Sequence, residues 1–118
     1  MKQPKTILLT GASSGIGLEM ARILAAQKNR LILVSRSNDR LEEIATELRQ
    51  TTDSDIVVHA LDLSVPRAAD KLVAYCDSHQ FQIDILINNA GFGLLDEHIN
   101  LEPEKLRQML QLNVVTVA

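Results

Sequence analysis

The chain has no tryptophan, and two phenylalanines and one tyrosine are its only aromatics. Whatever core it builds is therefore aliphatic. A single cysteine, Cys76, excludes an intramolecular disulfide and fits a reducing compartment. No apolar run approaches the roughly 18 residues that a membrane-spanning helix needs. Met1-Lys2-Gln3-Pro4 runs straight into strand-like residues, so no signal peptide is expected and a cytoplasmic protein is. Basic charge is in deficit: 12 Lys and Arg against 15 Asp and Glu give a net charge of −3. That sign argues against nucleic acid as the main partner, because phosphate backbones are bound with a basic excess. Glycine is scarce too. There are five, and all of them fall in two short motifs, Thr10-Gly11-Ala12-Ser13-Ser14-Gly15-Ile16-Gly17 and Asn88-Asn89-Ala90-Gly91-Phe92-Gly93.

What is present is an alternation of strand and helix patterns with little linker. A chain of 118 residues makes at most one domain, here residues 1–118, with a real core. Lys5 to Thr10, Leu31 to Ser35, Asp55 to Leu61 and Ile83 to Ile87 read as strands, with consecutive apolar positions as expected for strands covered on both faces. Between them lie helical stripes. Gly15 onward carries Ile16, Met20, Ile23 and Leu24. A second helix, capped by Ser37 or Asn38, carries Leu41, Ile44, Ala45 and Leu48. A third, with Pro66 in its first turn, carries Ala69, Leu72, Val73 and Cys76. A fourth, opened by Pro103, carries Leu106, Met109, Leu110 and Asn113. Four strands alternating with helices predict a parallel sheet with right-handed crossovers, an α/β doubly wound architecture. With strand order 3-2-1-4, the two glycine motifs flank the point where the order reverses, which is where such sheets take ligands. The last residues, Val114 to Ala118, offer no glycine cap, so a truncated chain is expected.

The first motif has a mechanism. A glycine-rich turn from strand to helix presents backbone N–H groups and the positive end of a helix dipole, which suits a pyrophosphate. The spacing is Gly-x-x-x-Gly-x-Gly, not the Gly-x-Gly-x-x-Gly of the general dinucleotide fingerprint. Ser13 and Ser14 add hydroxyls where a phosphate would lie. A three-glycine loop alone is weak evidence; the alternative, a tight turn with no ligand, is disfavoured by the strand before it and the helix after it.

Four motifs in register make the chain resemble the N-terminal half of the short-chain dehydrogenase/reductase family. Gly11, Ser13, Ser14, Gly15, Ile16 and Gly17 belong to a match to its TGxxxGxG cofactor loop. Asn88-Asn89-Ala90-Gly91 resembles its NNAG motif. Asp62 matches the residue after the third strand that contacts adenine, with Leu63 near the ring. Asn113 resembles the asparagine of the family's catalytic tetrad, which holds a water in a proton relay. The resemblance implies a Rossmann-type fold, truncated here, that binds a nicotinamide dinucleotide and serves hydride transfer to or from a small carbonyl or alcohol substrate. It also implies a homo-oligomer for a full-length parent, associating partly through the fourth helix, where Leu106, Leu110 and Val114 are apolar.

The cofactor is expected to be NADP. About twenty residues beyond the loop, an acid would bond a ribose 2′-hydroxyl and repel a 2′-phosphate. Here Val34-Ser35-Arg36-Ser37 has no acid, and Arg36 offers a planar, bidentate cation. The plainer alternative is a surface arginine paired with Glu42 or Glu43. Asp62, helped by Ser64, equally suits a helix start. Asn88 reads as a tie between strand ends, whereas Asn89, Ala90 and Gly91 read as cofactor-facing, followed by a substrate-side loop from Phe92. Asn113 is either the relay residue or a core amide bonding local backbone; spacing leaves the two even.

The proton chemistry of the family rests on a serine and Tyr-x-x-x-Lys. The one tyrosine, Tyr75, is followed four residues later by His79 and falls on the third helix, so it reads as structural. His59, in a strand, His79, at a helix end, and His98, in a loop, show no metal-ligand spacing, and no metal site is expected. By itself the chain is expected to be inactive. The rival to an oxidoreductase half is therefore a non-enzymatic dinucleotide-binding module. A methyl-donor binder is disfavoured by Arg36 standing where an acid would be.

Overall fold

Runs of aliphatic residues without polar interruption form strands only when both faces are covered, and that is how this chain is built. The computed structural model describes residues 4–13, 15–88 and 95–101. The elements run β1 (Thr6–Thr10), α1 (Gly15–Ala26), β2 (Arg30–Ser35), α2 (Asn38–Thr51), β3 (Ile56–Ala60), α3 (Ala68–Ser78), β4 (Ile83–Asn88) and β5 (Leu95–Leu101). The sheet order is β3-β2-β1-β4-β5. The first four strands are parallel, in the expected order 3-2-1-4.

The sheet separates two apolar layers. On one face Ile7, Leu9, Leu31 and Leu33 pack with Leu18, Ala21 and Ala25 of α1 and with Leu41, Ile44, Ala45 and Leu48 of α2. On the other face Leu8, Ile32, Val34 and Leu86 pack with Ala69, Leu72, Val73 and Cys76 of α3. Alternate residues of one strand thus supply opposite layers. Ser37 starts α2, its Oγ accepting from the Arg40 N–H at 3.3 Å. Cys76 is buried, and burial pushes its thiol up to about 11. That suits a small core residue, not a reactive one.

Three expectations are corrected. The inward face of α1 is Gly17, Leu18, Ala21 and Ala25, whereas Ile16 and Ile23 are 66% and 58% exposed. Small residues let this helix lie close to the sheet; of the expected stripe, Met20 and Leu24 pack half-buried against this core, whereas Ile16 and Ile23 do not. Pro66 precedes α3 by two residues instead of standing in its first turn; Arg67, at φ 63°, is the cap residue. The segment containing His98 is not a loop. Leu95–Leu101 forms β5, antiparallel to β4 with a register shift between Ile83 and Ile85. Its acids and histidine suppress the strand signal. The expected fourth helix, from Pro103, lies outside the described residues.

His59 of β3 stacks on Tyr75 of α3, ring centroids 3.8 Å apart and planes 13° from parallel. Burial, and after it the nearby His79, hold the His59 imidazole below the ordinary value of 6.5. A histidine depressed in the fold contributes stability above its unfolded pKa, and that contribution is lost as pH falls through the folded value. His59→Phe is therefore expected to lose less Tm than the wild type between about pH 7 and pH 5. Equal losses in thermal melts of the two proteins contradict this.

Candidate functional site

Strand register decides which loops meet. Thr10 is in register with Val34 of β2 on one side and with Asn88 of β4 on the other. The two glycine motifs thus start from neighbouring strand ends. One strand further across, Ser35 pairs with Ala60, and the Leu61 N–H donates to the Ser35 carbonyl at 2.8 Å. Arg36 and Asp62 accordingly follow adjacent strand ends.

The turn between β1 and α1 needs glycine at two points. Gly11 has φ 66° and Gly15 has φ 59°, in the left-handed region. A Cβ on Gly15 would meet nothing within 4 Å, so backbone conformation and not crowding demands the glycine there. The Gly11 N–H donates to the Val34 carbonyl at 2.9 Å, and that of Ala12 to the same oxygen at 3.5 Å. Gly11 therefore shapes the turn and ties it to β2. The groups aimed at an anion lie further on. Gly15, Ile16 and Gly17 form the first turn of α1, whose N–H groups have no carbonyl one turn back within the helix. With the helix dipole they make an anion-attracting end. Ser13 lies in the turn, and its carbonyl accepts from Arg40 Nε at 3.2 Å. Ser14 lies outside the described residues.

Arg36 is exposed. Among the described residues no ion pair involves it, and Glu43 is taken by Arg40 at 3.1 Å. Its hydroxyl neighbours are partly engaged: Ser35 Oγ accepts from the Ser37 N–H at 3.4 Å, and Ser37 Oγ is the α2 cap. Asp62 accepts from Ser64 Oγ at 2.6 Å and from the Ser64 N–H at 2.9 Å, both on Oδ1. These two bonds first, and the Arg36 charge after them, hold its carboxyl below the usual range. Its other oxygen, Oδ2, is left to accept from a further donor such as an adenine amino group. Asp62 closes a turn and does not cap α3. The Leu63 side chain is buried in the α3-side core. Asn89, Ala90, Gly91 and Asn113 lie outside the described residues.

Tyr75 sits on α3 between the rings of His59 and His79, and burial raises its phenol above 10.0. It is a packing residue, as the sequence suggests. Among the described residues no group of three His, Cys, Asp or Glu could hold a metal ion, and no helix is long and apolar enough to cross a membrane. The residue missed at the sequence level is Arg40. No sequence signal marks it, because its partner is a backbone oxygen 27 positions away.

Gly15→Ala forces a side chain into the left-handed region without creating a clash. It is expected to destabilise by about 1 kcal/mol in urea unfolding. A loss below about 0.3 kcal/mol contradicts a left-handed Gly15.

The family model described as short chain dehydrogenase matches residues 5–118. The NADP-dependent 3-hydroxy acid dehydrogenase of Schizosaccharomyces pombe is 38% identical over 113 residues, covering 94% of this chain and 44% of that protein. The (+)-neomenthol dehydrogenase of Arabidopsis thaliana is 36% identical over 93 residues, covering 76% of this chain and 31% of that protein. The alcohol dehydrogenase of the archaeon Thermococcus sibiricus, complexed with 5-hydroxy-NADP, has a TM-score of 0.73 at 30% identity, covering 98% of this chain and 53% of that one. The L-sorbose reductase of Gluconobacter frateurii, complexed with NADPH and L-sorbose, has a TM-score of 0.71 at 32% identity, covering 97% and 46%. The chain thus spans about half the length, or less, of these relatives.

Proposed function

The chain belongs to the short chain dehydrogenase family, and on that footing we propose that it is the cofactor-binding part of an NADP-dependent oxidoreductase. The observation that carries the reading is the left-handed turn at Gly11 and Gly15. It brings the first turn of α1 to the carboxyl end of the sheet, in line with Arg36 and Asp62. The first-turn amides of Gly15, Ile16 and Gly17, with Ser13 and Ser14, hold the pyrophosphate, and Gly11 shapes the cradle. Arg36 binds the 2′-phosphate, and Asp62 Oδ2 with the Leu63 loop frames adenine. Asn89, Ala90 and Gly91 line the ribose, and Asn113 belongs to the proton relay; the family match, which extends over them, supports these assignments.

When bound, the nicotinamide supplies hydride transfer between an alcohol and a carbonyl. A small molecule of that class is the proposed substrate of the parent enzyme, a cytoplasmic homo-oligomer. A second reading, a dinucleotide-binding module without turnover, is favoured for residues 1–118 by one observation. Tyr75, the one tyrosine, is packed between His59 and His79 and is followed by no lysine four residues on. Cofactor binding without hydride transfer to any carbonyl supports the module.

Arg36 is the determinant of the NADP assignment, which is supported by the S. pombe relative's name and by the cofactors of the two structural neighbours. Arg36→Asp is expected to weaken NADPH binding by on the order of tenfold to a hundredfold while NADH binding is kept or improved, given ~1.5–3 kcal/mol for a hydrogen bond to a charged group. An unchanged NADPH-to-NADH affinity ratio in fluorescence titrations contradicts the role given to Arg36.

A further inference from the structure

Arg40 makes one contact to the glycine-rich loop and two within its own helix start. Its Nε donates to the Ser13 carbonyl at 3.2 Å, across 27 positions of sequence. Its Nη1 is held by Glu43 Oε2 at 3.1 Å, one helical turn along α2. Its backbone N–H donates to Ser37 Oγ at 3.3 Å, which fixes the start of the same helix. The guanidinium is therefore oriented from its own helix and reaches out to the loop.

The loop has few other anchors among the described residues. Its entry is tied to β2 by the Gly11 and Ala12 N–H groups on the Val34 carbonyl. Its exit is the first turn of α1. The stretch between has a left-handed glycine at each end, and glycine restricts the backbone least. A carbonyl oxygen in that stretch is a hazard for an anion site, because its negative end repels phosphate if the peptide turns inward. A trans peptide points its C=O and N–H in opposite directions. The bond from Arg40 holds the Ser13 oxygen toward α2, so this acceptor is engaged by a cation and not left to face an anion.

We propose that Arg40 is a positioning residue: through the Ser13 carbonyl, and braced by Glu43, it holds the glycine-rich loop in its anion-accepting shape before any cofactor arrives. The proposal rests on the reading of this loop as a dinucleotide site. It gives the two nearby arginines different work. Arg36 discriminates NADP from NAD, whereas Arg40 acts on the pyrophosphate cradle that both dinucleotides share. Glu43 matters as the brace that keeps the guanidinium from leaving Ser13 for a phosphate.

The test uses the whole chain and two readouts. In Arg40→Gln without cofactor, amide hydrogen exchange of residues 11–17 is expected to quicken by about three- to tenfold, the scale of one net hydrogen bond. NADPH and NADH affinities are expected to fall by a similar and equal factor. Arg40→Lys, which keeps a cationic donor on a long side chain, restores part of both, and Glu43→Gln gives a smaller effect in the same direction. Loss of NADPH affinity alone, with loop exchange unchanged, overturns the proposal and makes Arg40 a direct 2′-phosphate ligand. Unchanged exchange and unchanged affinities overturn it too. A wild-type chain that binds neither dinucleotide sinks the functional reading instead, and the exchange comparison still decides whether Arg40 holds the loop.

Discussion

Everything at this site depends on main-chain N–H groups that a helix cannot satisfy for itself. The first turn of α1 presents such groups at Gly15, Ile16 and Gly17, and the dipole of a twelve-residue helix adds to their pull on an anion. Side chains are secondary to this. An anion there needs the helix to begin at the right place and angle. Two left-handed glycines and the hydrogen bond from Gly11 to Val34 set that geometry.

The sheet supplies the rest by register. Thr10 stands between Val34 and Asn88, and Ser35 beside Ala60, so loops from four strands emerge along one edge. A one-residue slip would turn each strand's apolar set from one layer to the other. The two-sided core therefore guards the site's geometry: Leu8 and Ile32 face α3, whereas Leu9 and Leu33 face α1 and α2. At the opposite edge of the strands, the Thr6 N–H bonds Asp84 at 2.9 Å and the Lys5 N–H bonds Asn29 at 3.1 Å, which ties β1 to its neighbours where no ligand is expected.

Most of this architecture was legible because its signals are local. Consecutive aliphatics marked β1 to β4, Ser37 marked the start of α2, and glycines after a strand marked the turn. The failures have physical causes. On α1, packing is governed by how close small residues let the helix come, so Gly17, Ala21 and Ala25 outrank Ile16 and Ile23 for the inner face. β5 is antiparallel and carries Asp96, Glu97 and His98, so it lacks the unbroken apolar run of its neighbours. At the candidate site, the places of Arg36 after β2 and of Asp62 after β3 followed from the strand pattern. The contact of Arg40 did not, because its partner Ser13 is distant in sequence and the bond goes to a backbone oxygen that no residue type announces. Asp62, helped by Ser64, suggested a helix start; their two bonds prove to close a turn ahead of α3, both on Oδ1.

The most direct test of the central claim is a residue-resolved NMR titration of backbone amides with NADPH. The largest shift changes are expected on Ser13, Gly15, Ile16 and Gly17, with smaller ones at Arg36 and Asp62 and none at the β5 amides. Binding that leaves the α1 amides unmoved, or that centres on α3 or β5, contradicts that claim.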